Sequence, residues 1–188
     1  MGVIYEAGDD VAELLIPFIF QRGGLKDATE IRERYIEASL GRLSAARFWE
    51  TVGIECAIED QYLSLHRLRP DVGECLRRAQ QAGREVCCIS NDIAEWSMKL
   101  RVRHQLAGRI SKWFVSGDIG SRKPDEAIYR SALNGLGVPA SKVLFVDDRP
   151  KNLDTAWYVY PLAFCRRRSE CLASQNLDAL AALILATR

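Results

Sequence analysis

The segment KVLFVDD, residues 142–148, decides the fold, because it is a run of apolar residues that ends in two adjacent acids. A short apolar run that stops at polar residues is typical of a strand buried on both faces of a parallel sheet. Placing Asp147 and Asp148 at the end of such a strand is costly unless something compensates their charge. A hard cation such as Mg²⁺ is the natural partner, since it prefers oxygen ligands. An acidic helix cap near Arg149 is the simpler alternative.

Strands and helices alternate on both sides of this segment. Before it we predict a helix over Asp71–Ala82, a strand from Glu85, a helix from Ile93 to Leu106, a strand over Trp113–Gly117 and a helix over Pro124–Leu136. After it we predict a helix over Asn152–Tyr158, a strand over Leu162–Cys165 and a closing helix over Leu177–Ala186. This alternation predicts a parallel sheet covered on both faces, which is a Rossmann-like α/β fold.

The first third of the chain has a different pattern and is almost entirely helical. We predict helices over Val11–Gln21, from Asp27 or Thr29 to Leu40, from Ser44 to Val52, and over Glu59–Leu65. Asp9 and Asp10 precede the first helix, where an acidic residue is a common N-cap. We therefore expect both to be capping residues rather than catalytic acids.

Polar side chains follow three of the predicted strands, and ligands bind at this end of the strands in open α/β sheets. Ser90 and Asn91 follow the first strand, where they can bind phosphate oxygens or simply cap the next helix. Lys123 precedes Pro124 at a helix start, where it can neutralise a phosphate or be an ordinary surface lysine. Together with the paired acids, these residues supply a phosphate clamp and a metal site, which phosphoryl transfer requires.

In combination, these segments resemble the haloacid dehalogenase (HAD) superfamily of hydrolases. Residues 87–92 look like the second motif of that superfamily, residues 117–129 like the third, and residues 144–156 like the fourth in its paired-aspartate form. The likeness covers about residues 68–157. It implies a HAD-type α/β core over residues 68–188, a small helical cap over residues 9–67, and a remnant of the first core strand over residues 1–8.

The resemblance also implies a role for each residue at the strand ends. Ser90 and Asn91 would bind the substrate phosphate, and Lys123 would bridge the phosphate and the nucleophile. Asp148 would be a direct ligand of Mg²⁺, with Asp147 supporting it. The implied activity is that of a magnesium-dependent phosphatase acting on a small phosphorylated metabolite through an aspartyl-phosphate. The paired acids speak against the metal-free dehalogenases, which are the weaker alternative.

The Asp-x-Asp motif that opens this superfamily is absent near the N-terminus, and two alignments are possible. In the first, Val3–Tyr5 is the first strand, Glu6 takes the position of the nucleophile and Gly8 that of the acid–base residue. In the second, Gly2–Tyr5 follows the acids, Met1 stands where the second acid belongs, and the strand lies upstream. We favour the second alignment. The resulting alternative function is a catalytically silent module that binds phosphate, metal or a protein.

Composition and charge narrow the remaining choices. The chain has 188 residues and a net charge of +1, which gives no reason to expect nucleic acid or membrane binding. No signal peptide is visible, and the six cysteines lack metal-site spacing, so we expect reduced thiols in a cytoplasmic monomer or homodimer. We expect Arg166–Arg168 to be a solvated strand end or loop.

The helical block offers several residues that could contact the substrate. Of these, we suggest Arg47 or Trp49 as the residue that faces the substrate. The full set of candidates is Arg32, Arg34, Tyr35, Arg42, Arg47, Phe48 and Trp49.

Overall fold

Helices and strands follow one another largely as the sequence predicts. The computed structural model describes residues 2–159, 164–167 and 182–187. The helices there are α1 (Ile16–Gln21, continuing a π-helical turn Val11–Leu15), α2 (Ala28–Ser39), α3 (Ala45–Thr51), α4 (Glu59–Leu63), α5 (Val72–Gln81), α6 (Ala94–Arg103), α7 (Ser116–Ile119), α8 (Glu126–Leu136) and α9 (Pro150–Val159). The strands are β1 (Glu85–Ser90), β2 (Lys112–Val115), β3 (Val143–Asp147), β4 (Phe164–Arg167) and β5 (Ala182–Thr187).

These strands form one parallel sheet in the order β2-β1-β5-β3-β4. The pairing sets Ser90 opposite Val115 on one side and Thr187 on the other, and it sets Asp147 opposite Arg167. The carboxyl ends of the strands therefore meet at one edge of the sheet, which brings the polar residues after β1 and β3 together.

Strand β5 corrects the prediction of a closing helix over Leu177–Ala186. Residues 182–187 are extended and pair with both β1 and β3, while residues 177–181 lie outside the described part of the chain. An apolar run such as ALILA fits a buried strand as well as a helix. The strand is favoured here because β1 and β3 would otherwise each leave a row of backbone groups unpaired.

The two faces of the sheet bury separate hydrophobic clusters, since successive side chains of a strand point in opposite directions. One face packs against the helices that precede and follow β1, through Val86, Cys88, Leu144 and Val146. The opposite face packs against α8 and α9, through Cys87, Ile89, Val143 and Phe145. Burial on both faces explains why both strands read as continuous apolar runs.

The helical block of residues 9–67 shares its hydrophobic cluster with α6 and the sheet. At the junction, the buried Glu59 carboxylate accepts hydrogen bonds from the indole N–H groups of Trp49 (2.8 Å) and Trp96 (2.6 Å). Lys99 Nζ donates to the other oxygen of Glu59 at 2.6 Å. Because Glu59 and Trp49 belong to the block while Trp96 and Lys99 belong to α6, these bonds tie the block to the core.

A second junction lies at the other end of the block, where α2 meets α7. Ser116 Oγ donates to the carbonyl of Ser39 at 2.5 Å. Gly41 has a φ of 74°, and a Cβ there would collide with the carbonyl oxygen of Gly117. Only glycine combines this backbone conformation with so close an approach. The helical block is thus held against the core at two separated places.

The predicted helix starts at Asp27 and Ser44 are confirmed. The Asp27 carboxylate accepts from the backbone N–H groups of Thr29 and Glu30, and Ser44 Oγ accepts from that of Arg47. Asp9 caps the first helix by accepting from Ala12 N at 3.1 Å, whereas Asp10 makes no capping bond. Asp10 is instead buried, with its carboxylate 3.7 Å from Nε2 of His66.

Other expectations concern the end of the chain, the thiols and the membrane. Strand β4 is described over Phe164–Arg167, and Leu162, Arg168 and Cys171 lie outside the described residues. Four cysteines of the described part are free thiols: Cys56, Cys75, Cys87 and Cys88. Within the described ranges, no helix has the length and apolar character needed to cross a bilayer.

Candidate active site

The candidate site lies at the carboxyl edge of the sheet, between the ends of β1 and β3. Ser90 is the last residue of β1 and Asp147 the last of β3, with β5 between these two strands. Lys123 reaches this edge from the loop before α8. All three residues are buried, although serine, aspartate and lysine are usually exposed. Polar groups buried at a strand end need hydrogen-bond or ion-pair partners, and these contacts define the site.

The central contact is an ion pair between Lys123 and Asp147. Lys123 Nζ lies 3.2 Å from Asp147 Oδ2, and the two side chains are 0% and 1% exposed. The same ammonium group donates to the carbonyl of Ile89, also at 3.2 Å. Because β1 supplies Ile89 and β3 supplies Asp147, the lysine links the two strands that carry the predicted site residues.

Asp147 is engaged through both of its carboxylate oxygens. Oδ1 accepts from the backbone N–H of Arg149 at 2.9 Å, and Oδ2 accepts from Asn152 Nδ2 at 2.9 Å as well as from Lys123. Burial alone would raise the pKa of Asp147, but the charge of Lys123 and these hydrogen bonds outweigh it and lower the pKa below its usual value. Asp147 is therefore an ionised residue that holds Lys123 in place.

Asn91 directly follows β1, and its side-chain amide is directed to the Lys123 backbone. Nδ2 donates to the carbonyl of Lys123 at 2.8 Å, and Oδ1 accepts from its N–H at 2.7 Å. These contacts make Asn91 a residue that positions the Lys123 loop. Substrate contact by Asn91 remains a prediction.

Asp148 differs from its neighbour in that its carboxylate is only half-buried. Within residues 2–159, no hydrogen bond or ion pair engages this side chain, and Gly2 lies so close that a Cβ there would collide with Asp148 Oδ2. Mg²⁺ is often held by one or two carboxylates together with water and substrate phosphate. The described residues contain no group of three or more metal-ligating side chains. A cation held by Asp148 would have to complete its coordination with phosphate and water.

The N-terminal residues contradict the alignment in which Val3–Tyr5 is a strand of the sheet. Residues 2–4 form a turn, and Tyr5 makes an isolated antiparallel bridge with Leu68. Glu6 is exposed, and its backbone N–H donates to the carbonyl of Arg67. No described contact joins the Glu6 carboxylate to Ser90, Lys123 or Asp148. The turn leaves Gly2 beside Asp148.

Two of the seven suggested cap contacts lie near the site. Arg32 and Tyr35 line a small pocket between α2 and the core, together with Arg122 and Arg149. The suggestion of Arg47 or Trp49 is wrong, because Arg47 pairs with Glu50 on the surface and Trp49 is fully buried against Glu59. Of the other three, Phe48 is buried in the core, while Arg34 and Arg42 pair with Glu30 and Glu37.

Sequence reasoning also missed Asn152, Arg122 and Arg149. Asn152 lies in the first turn of α9, the helix that follows the paired acids, and this position was the available signal for it. Arg122 and Arg149 directly adjoin Lys123 and Asp148 in the sequence. Adjacency alone did not distinguish them from ordinary surface arginines.

Comparison with known proteins agrees with this architecture. The sequence profile of the haloacid dehalogenase-like hydrolases matches residues 6–156. A phosphoglycolate phosphatase of Pseudomonas savastanoi is 34% identical over 88 residues, which are 46% of this chain and 32% of that protein. A phosphoserine phosphatase of Thermus thermophilus is 29% identical over 84 residues, which are 45% of this chain and 34% of that protein. This chain thus spans about a third of the length of these relatives.

Solved structures share the fold over most of the chain. A HAD family enzyme of Bacteroides thetaiotaomicron, crystallised with magnesium and inorganic phosphate, has a TM-score of 0.72 and 16% identity and covers 89% of each chain. A predicted HAD-like hydrolase of Porphyromonas gingivalis has a TM-score of 0.70 and 18% identity and covers 92% of this chain and 94% of that one. With the profile match over most of its length, this chain belongs to the haloacid dehalogenase-like hydrolase family.

Proposed function

We propose that this site binds the phosphate group of a small phosphorylated molecule together with Mg²⁺, as part of a phosphatase. The observation that carries the proposal is the buried Lys123–Asp147 ion pair, whose ammonium group also donates to the carbonyl of Ile89, the residue before Ser90. A buried ammonium group that links the ends of two parallel strands is suited to an anionic ligand. The names of the phosphoglycolate and phosphoserine phosphatases support a small phosphorylated substrate. The magnesium and phosphate bound to the structural neighbour support this pair of ligands.

Each residue has a role in this proposal. The Ser90 hydroxyl and the Lys123 ammonium group bind phosphate oxygens. Asp148 ligates the cation, which neutralises phosphate charge when it is bound. Asp147 holds Lys123 and supports the cation site indirectly, since its two oxygens accept three hydrogen bonds from the protein. Residues 9–67 act as the cap over a core of residues 68–188 in this proposal.

Hydrolysis through an aspartyl-phosphate requires a carboxylate that attacks phosphorus. Gly2 lies beside Asp148, so an acid just before Gly2 would enter the site at the metal-binding carboxylate. Met1 stands at that position in these 188 residues. Glu6 is exposed and makes no described contact with the site, which favours a second candidate function, in which the chain binds phosphate and metal without hydrolysing the ester. The phosphatase remains the proposal for a chain that carries the acids.

Calorimetric titration of the protein with inorganic phosphate, with and without Mg²⁺, tests the binding part. We expect binding that requires Mg²⁺ and that weakens by about tenfold or more in Asp148→Asn, since a direct carboxylate ligand is lost. Asp154→Asn is the matched control, because Asp154 is exposed on α9. Equal binding by Asp148→Asn and the wild type would show that Asp148 is not the ligand.

Hydrolysis of an aryl phosphate separates the two candidate functions. One sample is the 188-residue chain, and the other carries an N-terminal extension that supplies a strand ending in Asp-Xaa-Asp before Gly2. Activity in the extended protein alone would support the phosphatase with the favoured alignment. Phosphate binding without hydrolysis in either protein would support the silent module. Activity of the unextended chain would require another carboxylate, and Glu6→Gln would test the one that the first alignment places at the position of the nucleophile.

A further inference from the structure

The two histidines of this chain, His66 and His104, meet around one side chain at the base of the helical block. The ring of Tyr5 lies edge-on to both imidazoles, with centroid distances of 6.0 Å to His66 and 5.5 Å to His104. His66 stands at the end of the block, while His104 directly follows α6 of the core. A change of charge on either imidazole therefore acts where the block and the core meet.

The chain enters and leaves the block through two segments that are paired with each other at this base. Tyr5 forms its antiparallel bridge with Leu68. The N–H of Glu6 donates to the carbonyl of Arg67, and the N–H of Arg69 donates to the carbonyl of Ile4, both at 3.0 Å. Movement of one packed unit against another is absorbed by a few connecting residues of this kind. The pairing of the two segments thus controls how firmly the block is held at its base.

His66 joins the two ends of the block. Its side chain is fully buried, and Nε2 lies 3.7 Å from Oδ2 of Asp10, which is buried as well. The ring of Tyr62 packs against the same imidazole, with a centroid distance of 5.0 Å. A proton on His66 would therefore be compensated by the Asp10 carboxylate beside it.

His104 is half-buried, and its surroundings oppose protonation. Burial lowers the pKa of the His104 imidazole below its usual value, a hydrogen bond with the backbone of His66 acts in the opposite direction, and the charges of His66 and Arg103 add to the lowering. Within the part of the chain that the structure describes, Nε2 of His104 is buried and has no hydrogen-bond partner. A proton on Nε2 would create a buried N–H without an acceptor, which is costly unless the ring moves into water.

The groups around the two imidazoles come from both the block and the core. Arg103 is partly neutralised by Asp60, which lies 3.7 Å away. The charged and titratable side chains that the described residues place around the histidine pair are Tyr5, Asp10, Tyr62, Arg103 and, beyond Arg103, Asp60.

We propose that His104 is the acid-sensitive element of a latch at the base of the helical block. While His104 is neutral, its imidazole packs against Tyr5 and the two connecting segments stay paired. When His104 gains a proton, the ring leaves this position and the pairing loosens. This inference goes beyond the proposed function and does not depend on phosphate binding.

The direction of the pH dependence follows from the two states of His104. In the loosened state the imidazole is in water, where its pKa has the ordinary value of about 6.5. In the closed state the pKa is lowered, so the loosened state takes up the proton more readily. The closed state is therefore fully favoured above pH about 6.5 and is lost progressively as the pH falls below that value.

Hydrogen exchange at the amides of Glu6 and Arg69 measures the pairing directly, once it is corrected for the intrinsic pH dependence of exchange. From pH about 7.5 to about 5.5, we expect the opening equilibrium of these amides to rise by up to about tenfold, the limit for one proton at one pH unit below 6.5. Amides of β1 and β3 are the internal reference and should keep their protection. No rise at the two amides, or an equal rise in the sheet, would overturn the latch.

Two variants assign the effect to one imidazole. His104→Gln keeps a side-chain amide that can bond the backbone of His66 but takes up no proton, so the rise in acid should disappear. His66→Gln is the matched variant, because it removes the other imidazole and should keep most of the rise. Loss of the rise in His66→Gln and its persistence in His104→Gln would overturn the role of His104.

NMR titration of the imidazole protons gives a measurement that does not depend on the folding of His104→Gln. The chain has two histidines, so the resonance that persists in His66→Gln belongs to His104. We expect its midpoint in the wild type to lie below about 6.5. A midpoint at or above that value would overturn the latch, whatever the variants do.

Discussion

The side-chain amide of Asn91 is hydrogen-bonded at both ends to the backbone of a single residue, Lys123. Nδ2 donates to the Lys123 carbonyl at 2.8 Å, and Oδ1 accepts from the Lys123 N–H at 2.7 Å. A buried amide with both ends satisfied holds its partner in one position. The loop before α8 is therefore fixed to the end of β1, which aims the Lys123 side chain at Asp147.

Replacing Asn91 by Asp should destabilise the protein by about 2 kcal/mol, because an acceptor would then face the Lys123 carbonyl in a buried site. Urea denaturation at neutral pH measures this loss. Asn134→Asp on the exposed face of α8 is the control and should change the free energy of unfolding far less. Equal losses in the two variants would mean that the two bonds to Lys123 contribute nothing measurable.

Replacing Lys123 by Met should cost about 3 kcal/mol or more at neutral pH, since it leaves Asp147 charged and buried without its cation. The wild type should lose stability as the pH falls below about 4, because the pKa of Asp147 is lowered in the folded state and the ionised pair is lost through that pKa. The difference between wild type and Lys123→Met should therefore shrink in acid. Urea denaturation from pH 7 to 3 checks this, and a constant difference would contradict it.

The contact between the helical block and α6 depends on Glu59. In Glu59→Gln, an NH₂ group replaces one of the two carboxylate oxygens. The donor groups of Trp49, Trp96 and Lys99 still need acceptors, and one acceptor has become a donor. We expect a loss of about 2 kcal/mol in stability and a shift in tryptophan emission, since two indoles are affected. Glu55→Gln, at an exposed position before α4, is the control. An unchanged emission spectrum would show that the indoles do not depend on the Glu59 charge.

The central position of β5 can be tested through its backbone. In β5, Ile184 pairs with Cys87 of β1 and Phe145 of β3. Proline at Ile184 removes a backbone donor from the middle of the sheet and should cost at least about 3 kcal/mol. Ile184→Val keeps the backbone N–H, and it is the control that should cost far less. Thermal denaturation compares the two variants, and similar midpoints would mean that β5 is not required by the sheet.

The alternation of strands and helices after residue 68 was predictable from the sequence because it depends on local patterns. Runs such as 143–146 are apolar throughout. In the preceding helical block, helix starts such as Asp27 and Ser44 likewise carry side chains that cap neighbouring N–H groups. The carboxyl ends of parallel strands meet at one edge of a sheet. The proximity of Ser90, Lys123 and Asp147 followed from that rule.

The prediction of a helix over residues 177–186 failed because a short apolar run can form either a helix or a buried strand, and its periodicity does not distinguish the two. Residues 182–187 pair with β1 and β3, which lie far away in the sequence, and no local pattern encodes that pairing.

The suggestion of Arg47 or Trp49 as substrate contacts failed for a related reason. Residue type alone does not say which face of α3 meets the core.

The sequence by itself determined the class of the fold and the residues at the ends of β1 and β3, since periodicity, capping and strand polarity are written in neighbouring positions. Only the tertiary structure decided which strand lies between them, that Asn91 holds Lys123, and that Arg32 meets Arg122 and Arg149 around one pocket. These features depend on contacts between residues distant in the chain. Such contacts are selected by burial and by the need to satisfy backbone and side-chain polar groups, which only the packed molecule does.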